Sequence, residues 1–392
     1  MEELSDFAFA DITQWEQQVL EDLNLTDITQ LIEHPLYDNL TQPPYVDFTS
    51  NNQRGLIHGY RNCSNYSGEK WEGARRWVQI ERITSKDPDE SNQRSLEALS
   101  GGADGVILDI RDRMEFQNLL AGISLPDCYL GITTSLKNSQ HLNVFLSSGE
   151  STIKGFIAVD DLLQHLTGET DEIVHLFECF DQCRNLVLSE APEKTGSLLE
   201  IALLLNQAVY VINTLLDSGV SAEIILRNIQ FNLQVGDSYL WEICRLRCLR
   251  SLFHIVASQY DAAVSPQAIS IHAITSDPGH FSDSESTEET RIETLRLISN
   301  TTQAMSAILG GCNILTVDPA KTTGTTSTDF NRISRNVSHI LRAESFLHKV
   351  ADPVAGSYYL EELTNNMMKA VWARFQELQK AGGYLKSTLD EA

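Results

Sequence analysis

From Trp77 onward, short runs dense in β-branched and other apolar residues recur: WVQIERI at Trp77, GVILDI at Gly105, CYLGITT at Cys128 and IKGFIAV at Ile153. They continue with NLVLSE at Asn185, IQFNLQV at Ile229, ISIHAIT at Ile269 and NILTVD at Asn313. The starts of these eight runs lie 23 to 44 residues apart, room for a helix in each gap. Strands alternating with helical stretches make βα units and a parallel sheet. The helices carry their own signals. Ser197 opens Leu198–Asp217, which stops at Ser218-Gly219. Asp237, after Gly236, reads as the N-cap of Tyr239–Ala257, with Leu240, Ile243, Leu246 and Phe253 on one side. Thr287–Leu309 begins with Glu288, Glu289 and Glu293 at its positive end and stops at Gly310-Gly311. Eight such units over residues 76–392 are the count and size of a (β/α)8 TIM barrel. No G-x-G-x-x-G follows any run and no Walker A sequence occurs, which disfavours the open doubly wound alternative. In the run at Ile229, apolar residues alternate with Gln230, Asn232 and Gln234, so one face of that strand is polar. That face is expected to look into a wider-than-usual lumen.

Residues 1–75 follow another rule and form a separate N-terminal helix and extended arm. Trp15, Val19, Leu20 and Leu23 recur at helical spacing and predict a helix over about 11–23, with a second short one at Asp27–Glu33. Beyond it the chain is dotted with Pro35, Pro43, Pro44, Asn51, Asn52 and Gly55 and has few apolar positions. Such a segment wraps along another surface, of this chain or of a partner.

Composition narrows the function classes. With 29 Lys+Arg against 54 Asp+Glu the net charge is −25, which argues against a nucleic-acid or anionic-membrane partner. The longest greasy stretch, Ile201–Ile212, is interrupted by Asn206 and Gln207, and no signal-like N-terminus precedes it. Seven cysteines include no C-x-x-C pair. Cys179/Cys183 and Cys244/Cys248 at i,i+4 read as buried helical thiols on one face rather than as metal half-sites. A cytoplasmic location is the expectation.

In a TIM barrel the chemistry sits at the C-terminal ends of the strands. The polar residues there are Arg82, Asp109 and Arg111; Thr133 and Thr134; Asp160 and Asp161; Ser189 and Glu190; His272 and Thr275; and Asp318. They do not converge on a recognisable constellation. His272 has no carboxylate nearby in sequence to orient it, Ser189 lacks a G-x-S-x-G elbow, and no metal-ligand spacing occurs. The aspartates can equally cap the following helices. Arg245, Arg247 and Arg250, with Glu242, read as a salt-bridged helix face, and Ser282–Glu289 as an acidic solvated loop.

Asp352-Pro-Val-Ala-Gly-Ser-Tyr-Tyr-Leu-Glu-Glu-Leu-Thr364 resembles the DP-x-x-GS-x-Y-x-E-x-LT signature of the methylmalonyl-CoA mutase family. Thr328-Asp329-Phe330, Arg335-Asn336, Glu344-Ser345, Trp372 and Gly382-Gly383 fall in step with it, and Glu242, Arg247 and Arg250 match the family's E-x-x-x-x-R-x-x-R helix. The resemblance covers roughly residues 185–390 well. It implies a barrel whose solvated interior threads an acyl-CoA.

The departures shape what else it implies. Leu188 and Ser189 stand where catalytic members have Tyr-His. His272 is kept after strand seven, but Ile274 replaces a Gln, and Gly310–Asp318 lacks both histidines of the family's strand eight. Within these residues no Asp-x-His-x-x-Gly cobalamin-ligand loop occurs. These losses resemble the non-catalytic small subunit of heterodimeric mutases. The implied function is therefore a component of an adenosylcobalamin-dependent methylmalonyl-CoA mutase, itself inactive. The cofactor would be carried by a large catalytic partner subunit, none would be bound by this chain, and acyl-CoA would bind at most weakly, through His272, Thr275 and Ser189. The alternative is the catalytic barrel of a divergent acyl-CoA mutase that uses a separate cobalamin-binding chain. A third reading is an unrelated barrel enzyme acting on a small anionic or sugar substrate.

Overall fold

A computed structural model describes residues 11–31, 40, 42, 45–46, 76–85, 87–110, 116–147, 153–160, 162–166, 168, 170–189, 197–261, 264, 268–276, 289–319 and 328–384. Its centre is a nearly closed barrel of parallel strands with helices outside, as the alternating pattern requires. In chain order the elements are α1 (Ile12–Leu23), β1 (Val78–Ile83), α2 (Pro88–Ser100), β2 (Gly105–Ile110), α3 (Phe116–Leu119), β3 (Tyr129–Thr134), α4 (Leu136–Ser147), β4 (Lys154–Val159), α5 (Leu162–His165) and α6 (Thr170–Cys179). Then follow β5 (Cys183–Arg184), β6 (Leu186–Leu188), α7 (Leu198–Asp217), α8 (Ala222–Asn228), β7 (Ile229–Val235), α9 (Tyr239–Ala257), β8 (Ser270–Thr275), α10 (Glu289–Gly310), β9 (Ile314–Thr316), α11 (Thr328–Ala343) and α12 (Tyr358–Ala381).

Nine segments arise from eight runs because the fifth is broken at Asn185. That side chain is fully buried and donates to Phe180 O and Asn228 Oδ1, at 3.3 and 3.0 Å. The half before it pairs with β4, the half after it with β7, and the sheet comes round on itself through this residue. All pairings are parallel, and β1 meets β9.

Strand residues alternate between two buried environments. Val106, Leu108, Leu130, Ile132, Phe231, Leu233, Ile271 and their counterparts join the large core under the helices. Ile80, Ile107, Phe156 and Ile314 form a small separate cluster inside the barrel, with Val78, Tyr129, Ala158 and Val187 packed around it. At about 25 cal/mol per Å² of apolar surface, the outer layer supplies most of the driving force.

Local caps agree with the sequence in part. Ser197 Oγ accepts from Glu200 N at 3.1 Å, and Gly219, at φ +87, lies just past the end of α7. The cap of α9 is Ser238 rather than Asp237. The Asp237 carboxylate is drawn sideways to α10, accepting from Ser299 Oγ and, at 2.8 Å, from Gln303 Nε2. α10 is described from Glu289, two residues later than the charge pattern suggests. Cys179 and Cys183 do not share a helix: the first ends α6 and the second lies in β5. α7 is long and apolar enough to cross a membrane, yet 13 of its residues are buried, packed against α9 and α12.

Of the N-terminal arm, α1 has the Asp11/Gln14 capping box and no buried residue. Its Trp15 stacks on Tyr45 with ring centroids 5.0 Å apart, Val46 and Gln42 are buried, and Gln42 Oε1 accepts from Asn366 of α12 at 3.1 Å. This piece of the arm therefore lies on the chain's own barrel. Most of the extended portion, residues 32–75, lies outside the described residues.

Candidate functional site

The interior of the barrel has two walls of different chemistry. β1, β2 and β4 contribute Ile80, Ile107 and Phe156; β7, β8 and β9 contribute Gln230, Asn232, Ser270, His272 and Thr316. The polar face of β7 does point inward, as the Gln-Asn-Gln alternation suggests. At the level of Gln230 the lumen is filled, with Gln230 and His272 0% exposed and Phe156 1% exposed, whereas Asn232 and Gln234, nearer the C-terminal end of the strand, are partly exposed. Ser270 Oγ donates to Gln230 Oε1 at 3.2 Å, and Gln230 Nε2 donates to Asn232 Oδ1 at 3.0 Å, so the amides largely satisfy one another.

Phe156 closes the axis. Its ring reaches from β4 across the barrel to the imidazole of His272, at 5.5 Å between centroids. Gly131 on β3 makes this possible: a Cβ there would lie 2.6 Å from Phe156 Cζ and 3.1 Å from Ile107 Cγ1. A side chain at residue 131 would push the ring aside.

His272 sits at the meeting point of the two walls. Its Nε2 is 2.8 Å from Thr316 Oγ1, and Nδ1 is buried without a hydrogen-bond partner. Burial, reinforced by the charge of Arg82, pushes its pKa down to about 3, so the ring is neutral at physiological pH. A neutral imidazole flanked by a hydroxyl and a phenyl ring is shielded from any ligand at the mouth.

The three sequence candidates are not brought together. His272 is midway down the lumen. Thr275 lies on the opposite face of β8, 3% exposed, with its Oγ1 accepting from Asp318 N at 3.0 Å. Ser189 follows β6 and is exposed at the rim. Arg111, Asp161 and Glu190, and the acidic segment 282–288, lie outside the described residues. At the rim itself, Arg82 faces Asp318 at 3.7 Å beside a small recess whose other walls are Ile83, Thr84, Arg94, Pro319 and Asn331. Thr134 Oγ1 is spent on Ile110 O at 2.9 Å. Among the described residues no group of three or more His, Cys, Asp or Glu is placed to hold a metal.

The arginine cluster proves to be something other than a surface face. Arg245 is 0% exposed; its Nε donates to Glu242 at 2.8 Å, its Nη1 to Glu200 of α7 at 2.6 Å, and its Nη2 to Gln234 O. Burial alone would lower its pKa, but the two carboxylates more than reverse this and hold the guanidinium charged. Arg247 binds Asp352 at 2.6 Å and Glu361 at 3.1 Å, and Glu361 also accepts from Gly356 N. Arg250 donates to Ile269 O, Gly311 O and Asn313 Oδ1, each at 2.7 Å. The D352–T364 signature and the arginine helix are thus two halves of one buried network on the outside of the barrel. Sequence reasoning overlooked Phe156, Gly131 and Thr316, which decide the state of the lumen.

The profile of the methylmalonyl-CoA mutase family matches residues 190–390. The chain is 32% identical over 178 residues to the methylmalonyl-CoA mutase small subunit of Porphyromonas gingivalis, covering 45% of this chain and 28% of that protein. It is 29% identical over 198 residues to the small subunit from Propionibacterium freudenreichii subsp. shermanii, covering 50% of this chain and 30% of that one. With the small subunit from Streptomyces virginiae the identity is 25% over 330 residues, covering 78% and 52%. The chain spans between about a quarter and a half of the length of these relatives.

Proposed function

Because the chain belongs to the methylmalonyl-CoA mutase family, we propose that it is a small-subunit-like, non-catalytic component of a heterodimeric, adenosylcobalamin-dependent methylmalonyl-CoA mutase. The assembly would interconvert methylmalonyl-CoA and succinyl-CoA, and the cofactor, which supplies the radical chemistry, would sit on a large catalytic partner. The names of three relatives support the small-subunit assignment. The observation that carries the non-catalytic reading is the filled axis. Phe156 touching His272 occupies the path along which an acyl-CoA would thread, and Thr275, the other buried candidate, is turned away from it. Among the described residues the mouth offers a corrin no exposed imidazole, since His272 lies buried below it, so those residues do not suit that group.

The test is co-expression with a large mutase subunit, with mass measurement and mutase assays on each chain and on the mixture. The proposal expects a stable complex, turnover by the complex, and none by this chain with added adenosylcobalamin. Turnover by this chain alone overturns it. One observation favours the rival reading, a divergent catalytic barrel served by a separate cobalamin-binding chain: Nδ1 of His272 is unsatisfied and could accept a substrate hydrogen bond if the ring of Phe156 moved. Activity on mixing with a cobalamin-binding protein that has no barrel of its own would select it.

A further inference from the structure

Cys179 ends α6, and among the described residues it is the one cysteine that is not buried. Its neighbour is His175, one turn back on the same helix, with Nε2 3.4 Å from Sγ. That separation decides what the pair can hold. A sulfur about 2.3 Å and a nitrogen about 2.0 Å from one tetrahedral ion stand about 3.5 Å apart. One zinc-sized ion therefore spans these two atoms as they stand. The imidazole is turned for it as well. The Glu178 carboxylate lies 3.6 Å from Nδ1 and favours the proton there, which leaves the lone pair of Nε2 facing the sulfur. The side chains of His175 and Glu178 are 57% and 76% exposed, so an ion can enter.

The surroundings call for a cation. α6 carries Asp171, Glu172 and Glu178 and neither lysine nor arginine, and Asp181 follows it. Its last turn is the negative end of the helix dipole, and no basic side chain there offsets it. The net charge of −25 acts in the same direction.

We propose that His175 Nε2 and Cys179 Sγ are a ligand pair for a zinc-class divalent ion, with water completing the tetrahedron. Thiolate and imidazole select such an ion over Mg²⁺ and Ca²⁺, which take oxygen ligands. In the ion-free protein the thiol proton lies between the two atoms. Binding releases that proton to solvent and forms the metal–sulfur bond, with no change of oxidation state. The site lies on an outer helix, stands apart from the mutase reading and survives its failure.

Titration of the full chain with Co²⁺ under a phosphine reductant, followed by ultraviolet–visible absorption, tests it. The expected result is a sulfur-to-cobalt charge-transfer band that Zn²⁺ bleaches and equimolar Mg²⁺ or Ca²⁺ does not. Cys179→Ser and His175→Ala should each abolish the band, and His175→Ala does so with all seven thiols still present. Glu178→Gln should weaken binding about tenfold, while His141→Ala, exposed on α4, leaves it unchanged. Circular dichroism checks that each variant is folded. Absence of the band in the parent overturns the proposal. So does a band that survives either ligand substitution, or one that Mg²⁺ displaces as readily as Zn²⁺.

Discussion

Two buried regions on either side of β7 and β8 handle charge in opposite ways. Outside the barrel wall, α9 buries Arg245, Arg247 and Arg250, and each is bound by carboxylates or carbonyls from other elements. Inside it, β8 buries His272 with one hydrogen bond, a phenyl ring alongside, and a pKa pushed to about 3. The outer region keeps its charges and uses them to join α7, α9, α12 and the 352–361 turn. The inner region gives charge up and fills its space. The family signature at 352–364 is tied to the first region through Arg247, while the second is filled at the level of His272 and Phe156.

The sharpest way to break this contrast is to remove the central charge of the outer region. Arg245→Met leaves Glu200 and Glu242 buried and facing each other without a cation. Breaking a buried pair from one side costs about 3–5 kcal/mol. Urea unfolding followed by circular dichroism should show a loss of that size, with part of it restored when Glu200→Gln is added. A loss below ~1 kcal/mol would mean that the network is ornamental.

Within the lumen the largest effect is expected from Phe156→Ala. Truncating a buried phenylalanine typically costs about 3–4 kcal/mol, through lost burial and a residual cavity. The cavity would join His272 to the apolar wall, so the variant should also bind acyl-CoA more tightly than the parent does, measured by calorimetry. Destabilisation without any gain of binding would show that Phe156 is filler and that something else closes the axis.

How much of this was legible beforehand differs between the regions. The rhythm of apolar runs revealed the barrel, and the Ser197 and Gly219 signals fixed the ends of α7, because local backbone preferences decide those features. The buried arginines read as a solvated face because spacing along a helix tells which residues share a side, not whether that side meets water. The plug was invisible for a related reason. In a parallel barrel both strand faces are buried, so Phe156 in GFIAV gives no hint that it points inward, and the part played by Gly131 depends on a ring arriving from another strand. The break at Asn185 likewise needs Asn228, 43 residues away.

Acid separates the two regions without touching the backbone. The folded pKa of His272 lies below the ordinary value of ~6.5. Below that pH the unfolded chain takes up a proton that the folded chain refuses, so this residue's contribution is whole above ~6.5 and is lost progressively as pH falls toward 3. The slope is about 1.4 kcal/mol per pH unit. Stability measured at pH 7, 6 and 5 should therefore fall more steeply in the parent than in His272→Gln. Parallel profiles would mean that water reaches the imidazole and that the lumen is open.

The smallest effect tests whether the single hydrogen bond inside the barrel positions the ring or merely accompanies it. Thr316→Val keeps the shape of the side chain and removes the partner of Nε2, leaving both imidazole nitrogens unsatisfied in a dry site. A neutral hydrogen bond contributes about 1 kcal/mol, and an orphaned buried group costs about 1–3. The variant should lose roughly 1–2 kcal/mol, less than Phe156→Ala. Thr316→Val and His272→Gln share a partner, so their losses should fall short of additivity when combined. Strict additivity would mean that the two side chains act independently at 2.8 Å, and the inner wall would then be held by the apolar cluster of Ile80, Ile107, Phe156 and Ile314 alone.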